Sequence, residues 1–425
     1  MRLCALLLLA RCVLPGEVHD LSLRQAAARA LAQNPDVLMA RLDEQKAAQQ
    51  VRVARDPFIP KVYAGSGLAY SYGFPMSIEG SAPSVVQARA VSSVFNRSKT
   101  HALEQSKEQA RGMTFVTQSR GEDAVLRTIE LWLDAEHAAR SAEAAAAQVE
   151  TARKLEVIAR NRVEGGAELP IEARKAVLET AKARQRAQGF EADRELLEAT
   201  LANVLGYAPG DRVRPVPGER PLPDVPPSEE VARDAAWKQS KELRKLESDL
   251  AASEWDARAA RAARLPTLDL VAQYGLFAKF NNYNEYFNRF QRNNAQLGVS
   301  ITMPLFLGPA AQAQATQATL QATRLRTQIQ AARSRIALGV DEDFLVLRRA
   351  QTAVEVSRLD LDVARESLSV LLKRHEMGEG SLAEVEAARR SESEKWLAWL
   401  GAQHQVERAR FALLHRTGAL LAAVQ

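Results

Sequence analysis

Shifted against itself by 206 residues, the chain overlays one half on the other, and this duplication limits its folds more than any other feature. Ala30–Ala40 (ALAQNPDVLMA) falls on Ala236–Leu246 (AWKQSKELRKL), and Ile59-Pro60-Lys61-Val62 falls on Leu265-Pro266-Thr267-Leu268. At an offset of 212, Glu164–Ala176 (EGGAELPIEARKA) lies beside Glu376–Ala388 (EMGEGSLAEVEAA). Gly166 then meets Gly378, Arg162 meets Arg374, and Glu172 meets Glu384. A nearly constant register over most of the chain predicts two copies of one plan, at 18–208 and 228–425, joined by a Pro/Gly-rich linker at 209–227. Residues 1–17 read as a secretory signal segment, with Arg2 before the apolar run Leu3–Ala10, although Arg11 interrupts it. Both cysteines, Cys4 and Cys12, lie there, and the residues before Cys12 only half match a lipidation signal.

Each copy has the same internal order. A helix of about forty residues is expected first, roughly 20–57 and 226–264, ending near Pro60 or Pro266. Proline stops a helix and can open a strand, because it brings no amide donor. In the second copy Leu268, Leu270, Ala272, Tyr274 and Leu276 alternate with Thr267, Asp269, Gln273 and Gly275. A second run alternates through Ala295, Leu297, Val299, Ile301 and Met303. In the first copy Val62, Ala64, Leu68, Tyr70 and Tyr72 share one parity, and a weaker run follows at about 84–95. This is the period of two expected of strands with one apolar face. Each is about ten residues, the length that crosses a bilayer as a tilted barrel strand. A half-buried strand of a soluble sheet has the same pattern. The second loop holds Phe277, Phe280, Tyr283, Tyr286, Phe287 and Phe290, which suits either an aromatic girdle or a loop packed on itself.

The longest helical stretches come next, at about 97–163 and 309–376. At ~1.5 Å per residue each would span about 100 Å, more than any globular core needs. Val340, Leu347, Val354, Leu361 and Leu368 form a strict heptad line, with Ala350, Ser357, Ala364 and Leu371 beside it. Such a repeat implies a left-handed supercoil. The first-copy lines, Thr128, Ala135, Ala142 and Val149 with Leu131, Ala138, Ala145, Ala152 and Ala159, are alanine-rich and predict close packing. Each long helix then turns at glycine, Gly165-Gly166 or Gly378 with Gly380, and a second helix returns.

If four strands lie in a membrane, they cannot close a barrel alone, since the smallest bacterial barrels have about eight. An open edge in lipid leaves unsatisfied backbone groups at several kcal/mol each. The chain would therefore have to oligomerise to close its sheet.

The NP-D motif in a helix that ends at I/L-P before an alternating strand resembles the TolC-like outer-membrane efflux proteins. So do Met303-Pro304-Leu305-Phe306-Leu307-Gly308 and the pair Leu205–Gly210 and Pro221-Leu222-Pro223. The resemblance extends over about 20–424. It implies a mainly α fold, a long coiled-coil barrel with four transmembrane strands per protomer that closes a twelve-stranded β-barrel as a homotrimer. It also implies a Gram-negative outer-membrane location, with a helical tunnel in the periplasm. The protein would be a passive exit duct, served by an inner-membrane pump through a periplasmic adaptor. Two departures stand out. Ser92-Ser93-Val94-Phe95 replaces the proline exit of the first copy, and the acid six residues after the turn glycine is Glu172 or Glu384 where the family has Asp.

Mapped onto this chain, the resemblance places a tip gate at Glu172, Glu384, His375, Arg162 and Arg374, and adaptor contacts at Gly165, Gly166, Gly378 and Gly380. Tyr70, Tyr72, Phe277, Phe280 and Tyr283 become candidate interface aromatics beside outer-membrane lipid. A carboxylate repeated about a three-fold axis would form a cation-attracting ring. The plainer reading of Glu172 and Glu384 is that acids favour helix N-termini. His375 reads first as a surface histidine, with a pH-sensitive contact to Glu172 as the sharper alternative. The six histidines have no metal spacing, and no catalytic serine, phosphate-loop or dinucleotide motif occurs, so the chain reads as a non-enzyme without cofactor or metal. The net charge of +5 is spread along helices without a basic block, which argues against nucleic acid. Two rivals are a periplasmic adaptor, which should have one hairpin between split lipoyl-like segments, and a soluble coiled-coil scaffold, which needs no paired ten-residue strands.

Overall fold

In the computed structural model, Asn34 breaks the first predicted helix in two. The structure describes residues 16–67, 84–166, 168–216, 223–277, 291–306, 308–377, 379 and 381–424. Helices α1 (Leu23–Gln33) and α2 (Pro35–Arg55) stand where one helix over 20–57 was expected, and α5 (Glu229–Gln239) and α6 (Lys241–Ala262) where one over 226–264 was. Asn34 is extended at φ −61°, ψ 129°, as a residue before proline prefers to be. Its Oδ1 accepts from the amides of Asp36 and Val37, capping α2, while its Nδ2 donates to the Val204 carbonyl at 2.9 Å. Ser240, at the matching position, also leaves the helical region (φ −56°, ψ 113°) without any proline after it.

Strand β2 (Lys61–Gly67) follows α2, then β3 (Ser84–Phe95) and the 68-residue α3 (Arg97–Glu164). Helix α4 (Pro170–Val204) returns. After α6 come β5 (Thr267–Phe277), β6 (Asn293–Thr302), the 69-residue α7 (Gly308–Glu376), α8 (Leu382–Thr417) and the short α9 (Leu420–Val424). Where the first copy lacks its exit proline, Asn96 takes over: its Oδ1 accepts from the Lys99 amide at 3.0 Å and starts α3.

The chain forms two compact units, Met1–Ala40 with Thr117–Ser240 and Arg333–Gln425, and Arg41–Val116 with Lys241–Ala332. The second unit holds an antiparallel sheet in the order β2-β3-β5-β6. The register aligns Val62 with Ala90, Ala90 with Ala272 and Ala272 with Leu297. The neighbouring row joins Tyr63, Arg89, Gln273 and Gln296. These two rows are apolar and polar as the period of two predicts, although the row through Val91 and Val271 places valines on the polar face. Beside the sheet, Ser98 Oγ donates to the Ala259 carbonyl and Ser253 Oγ to that of Ala318, both at 3.0 Å. The small buried Ala252, Ser253, Ala257 and Ala259 permit these approaches.

In the first unit, the stretch expected to be only a linker contains β4 (Arg212–Pro215), which pairs in parallel with β1 (Val18–Leu21). Trp132 is buried beneath them, its indole N–H donating to the Leu21 carbonyl at 3.0 Å, among Ile129, Leu201, Leu205, Val213 and Leu414. The expected seam is buried in α3 at Thr128, Ala135, Ala142 and Val149 and in α7 at Val340, Leu347 and Leu361, while Val354 and Leu368 of the α7 line are only part-buried.

Candidate functional site at the helical turns

The α3–α4 turn is built on backbone chemistry. Gly166 adopts φ +74°, a left-handed conformation costly for residues with a Cβ, and its amide donates to the Val163 carbonyl at 3.0 Å. The Gly165 amide donates to Asn161 at 2.9 Å, and Pro170 then opens α4. Across the turn Arg162 Nη1 bonds Glu168 Oε1 at 3.0 Å. Glu172 sits in the first turn of α4 and receives Lys175 Nζ at 2.8 Å. In the second hairpin Ser381 and Glu384 form a reciprocal capping box, with N···O distances of 3.3 and 3.2 Å. Arg374 and His375 lie in the last turn of α7, where the Arg374 carbonyl accepts from the Glu379 amide at 2.9 Å. Within the chain Glu384 therefore caps its own helix N-terminus, while Glu172 stands in the first turn of α4 and meets Lys175.

Gly378 and Gly380 lie outside the described residues, as do Tyr70, Tyr72, Phe280 and Tyr283. Phe277 ends β5 opposite Ser84 and accepts Arg292 Nε on its carbonyl at 2.6 Å.

Residues that sequence reasoning missed join the two hairpins. A cavity of about 750 Å³ lies among α3, α4, α7 and α8, lined by Glu179, Leu155, Arg365, Glu386, Arg390 and Trp396 among others. Arg390 Nη1 on α8 reaches Glu179 Oε2 on α4 at 3.1 Å. Bonding from Lys182, opposed by partial burial and aided by Arg390, holds the Glu179 carboxyl below its usual range. Glu386 is displaced upward, first by burial and then by the charge of Glu179, with Glu172 and Glu168 contributing. The carboxylates of both turns thus share one electrostatic neighbourhood. The one sequence signal is that Glu386 lies two residues beyond Glu384.

Further along, Asp134 on α3 receives His404 Nε2 at 2.9 Å and Arg408 Nη1 at 2.8 Å. Burial alone would raise the Asp134 carboxyl, but His404 and Arg408 outweigh it and hold it low. His137 stacks on His404 with ring centroids 5.0 Å apart, and burial followed by the His404 charge pushes it down. Among the described residues, no three His, Cys, Asp or Glu side chains group as a metal site would require.

The chain resembles solved outer-membrane proteins over nearly its whole length. A membrane protein from Pseudomonas aeruginosa superposes with a TM-score of 0.77, at 17% identity, covering 93% of this chain and 92% of that one. The outer membrane protein VceC of Vibrio cholerae gives 0.75 at 14% identity, covering 93% and 96%. The open-state MtrE outer membrane channel of Neisseria gonorrhoeae gives 0.74 at 17%, covering 94% and 89%. In sequence, a stretch of 130 residues is 24% identical to the outer membrane efflux protein BepC of Brucella suis, and covers 31% of this chain and 28% of that relative's length. The family model described as outer membrane efflux protein matches residues 26–207 and 232–419, the two stretches that the internal duplication sets side by side. The chain belongs to the outer membrane efflux protein family.

Proposed function

We propose that this protein is the outer-membrane exit duct of a tripartite efflux or secretion system. Three protomers pool their four-stranded sheets into one twelve-stranded barrel, and the helices form a periplasmic tunnel. The observation that carries this reading is the sheet. Its outer strands β2 and β6 are each paired on one side only among the described residues. Along one face Val62, Leu297 and Ile301 are 72%, 77% and 72% exposed in the isolated chain. Apolar side chains so open to water, on a sheet with unpaired edges, suit lipid outside and a neighbour's strand at each edge. The polar rows through Arg89, Gln273 and Gln296 then line the lumen.

The tunnel carries cargo passively, and the pump supplies the energy. At the turns, Gly165, Gly166, Gly378 and Gly380 offer backbone to a periplasmic adaptor, and the exposed Leu169, Ile171 and Met377 offer apolar contact. Glu172 and Glu384, repeated by three-fold symmetry, form a cation-attracting constriction, with Arg162, Arg374 and His375 around it.

Membrane fractionation combined with heat-modifiable electrophoresis tests the assignment. The expected result is an outer-membrane species that migrates as a trimer unheated and as a monomer after boiling. A monomer in the soluble periplasmic fraction would refute it.

A further inference from the structure

We propose that the end of the sheet where all four strands meet their helices carries a basic belt that binds the phosphates of an anionic phospholipid leaflet. The inference rests on reading the sheet as membrane-spanning. The four junctions coincide because the sheet is antiparallel: α2 leads into β2 and α6 into β5, while β3 leads into α3 and β6 into α7.

Arg52 and Arg55 stand at the end of α2, and Arg97 and Lys99 in the first turn of α3. Arg258, Arg261 and Arg264 stand at and just beyond the end of α6. All seven are exposed, and among the described residues none forms an ion pair. Near them, Asp56 is already matched by Lys61. The next carboxylates along α3 and α6 are Glu104 and Asp256, and α7 carries no charge before Arg324.

Helix dipoles do not explain the belt. Cations at the C-terminal ends of α2 and α6 follow the dipole, but Arg97 and Lys99 occupy an N-terminal turn, where acids are favoured and none is present. The partners these cations do have are neutral. Arg258 lies over the Trp255 ring at 4.4 Å, and Arg264 donates to Gln312 at 2.7 Å. His101, stacked on Trp255, is pushed below the usual histidine range by burial, then by Arg97 and Arg258, as an unbalanced positive field would do.

A second observation selects lipid over a soluble polyanion. At the same junctions Leu305 and Phe306 are 91% and 89% exposed, with Ile59, Phe95 and Leu265 also open. Apolar side chains beside a row of Arg and Lys reproduce the layering of a membrane boundary, with acyl chains against the first and phosphates against the second. Each cation near such a surface strengthens binding about five-fold.

The test reconstitutes the full-length trimer into phosphatidylcholine vesicles holding a minor fraction of phosphatidylglycerol. Lipid retained after gentle detergent extraction is then measured by mass spectrometry. Wild type is expected to enrich phosphatidylglycerol over phosphatidylcholine. A variant carrying Arg97→Gln, Lys99→Gln, Arg258→Gln and Arg261→Gln is expected to lose at least about ten-fold of that enrichment. A control carrying Arg324→Gln and Arg358→Gln should keep it. Enrichment by wild type should also fall as salt rises to about 1 M, a measurement independent of how the variant folds. Equal enrichment in wild type and the fourfold variant, or enrichment indifferent to salt, would overturn the belt while leaving the barrel intact. Failure of wild type to insert into neutral phosphatidylcholine vesicles would overturn the membrane-spanning reading itself, and the belt with it.

Discussion

Arg390 Nη1 on α8 lies 3.1 Å from Glu179 Oε2 on α4, an ion pair between the first helical hairpin and the second. Glu386, displaced upward by burial and by Glu179, lies in the same cavity. If the tip opens by separating the hairpins, this bond holds it shut. A part-exposed ion pair is worth about 0.2–1 kcal/mol, so Arg390→Ala should shift the open-to-closed ratio by up to about five-fold. Planar-bilayer recording should detect a higher mean conductance, and a wild-type value would refute the clamp.

Glu386 gives the same region a pH dependence. Its folded pKa is raised, so between the usual glutamate value of 4.5 and that higher value the native state holds the proton more tightly than the unfolded chain does. Stability is therefore lost as pH rises through that window and regained on acidification. The tip should conduct less as pH falls through that window, and Glu386→Gln should blunt the response. An identical profile in wild type and Glu386→Gln would exclude this carboxyl as the source.

The proposed acidic ring predicts ion selectivity. Glutamine can replace glutamate in the Ser381 capping box, so Glu384→Gln removes charge while keeping the helix start. Reversal potentials under a salt gradient should show cation preference in wild type and a weaker one in Glu384→Gln combined with Glu172→Gln. Unchanged selectivity would leave the two acids as helix-end residues only.

Asp134 is held low by His404 and Arg408 against the effect of burial. A depressed carboxyl contributes stability above its unfolded value, the usual aspartate 3.8, and loses it as pH falls through the folded pKa. Asp134→Asn should cost about 1 kcal/mol at neutral pH, allowing for the partial exposure of the Arg408 side chain. Its thermal transition should also change less than wild type's below about pH 4. Parallel stability curves would remove Asp134 from the account.

Asn34 caps α2 and bonds the Val204 carbonyl from a nearly buried position. Asn34→Ala should cost about 1–2 kcal/mol, read as a lower thermal midpoint. A change within error would indicate that proline alone sets the break.

The strands and the long helices were legible in the sequence because their periods of two and seven are carried by many residues at once. Expected helix limits of 97–163 and 309–376 compare with 97–164 and 308–376 in the structure. The break at Ser240 was not legible, since Gln239-Ser240-Lys241 contains no helix breaker. Asn34-Pro35 does offer the signal, since a residue before proline is biased out of the helical region. The β1–β4 pair was invisible for another reason: four-residue strands nearly two hundred positions apart leave no local pattern, and Pro209–Pro227 reads as a linker. The hairpin clamp hid in plain charge. Glu179 and Arg390 each look like solvated side chains until α4 and α8 lie side by side.

On the trimeric outer-membrane reading proposed above, the margins of β2 and β6, paired on one side only among the described residues, also bear on the life of the chain before assembly. A strand with unsatisfied amides and carbonyls along one side is a template for any other strand, including the same edge of a sister molecule. A solitary copy in the periplasm would thus be poised to polymerise. Its safe lifetime there should be set by how quickly it meets either two siblings or an escort that masks those margins, which makes supply rate, and not only stability, a determinant of how much working pore a cell obtains.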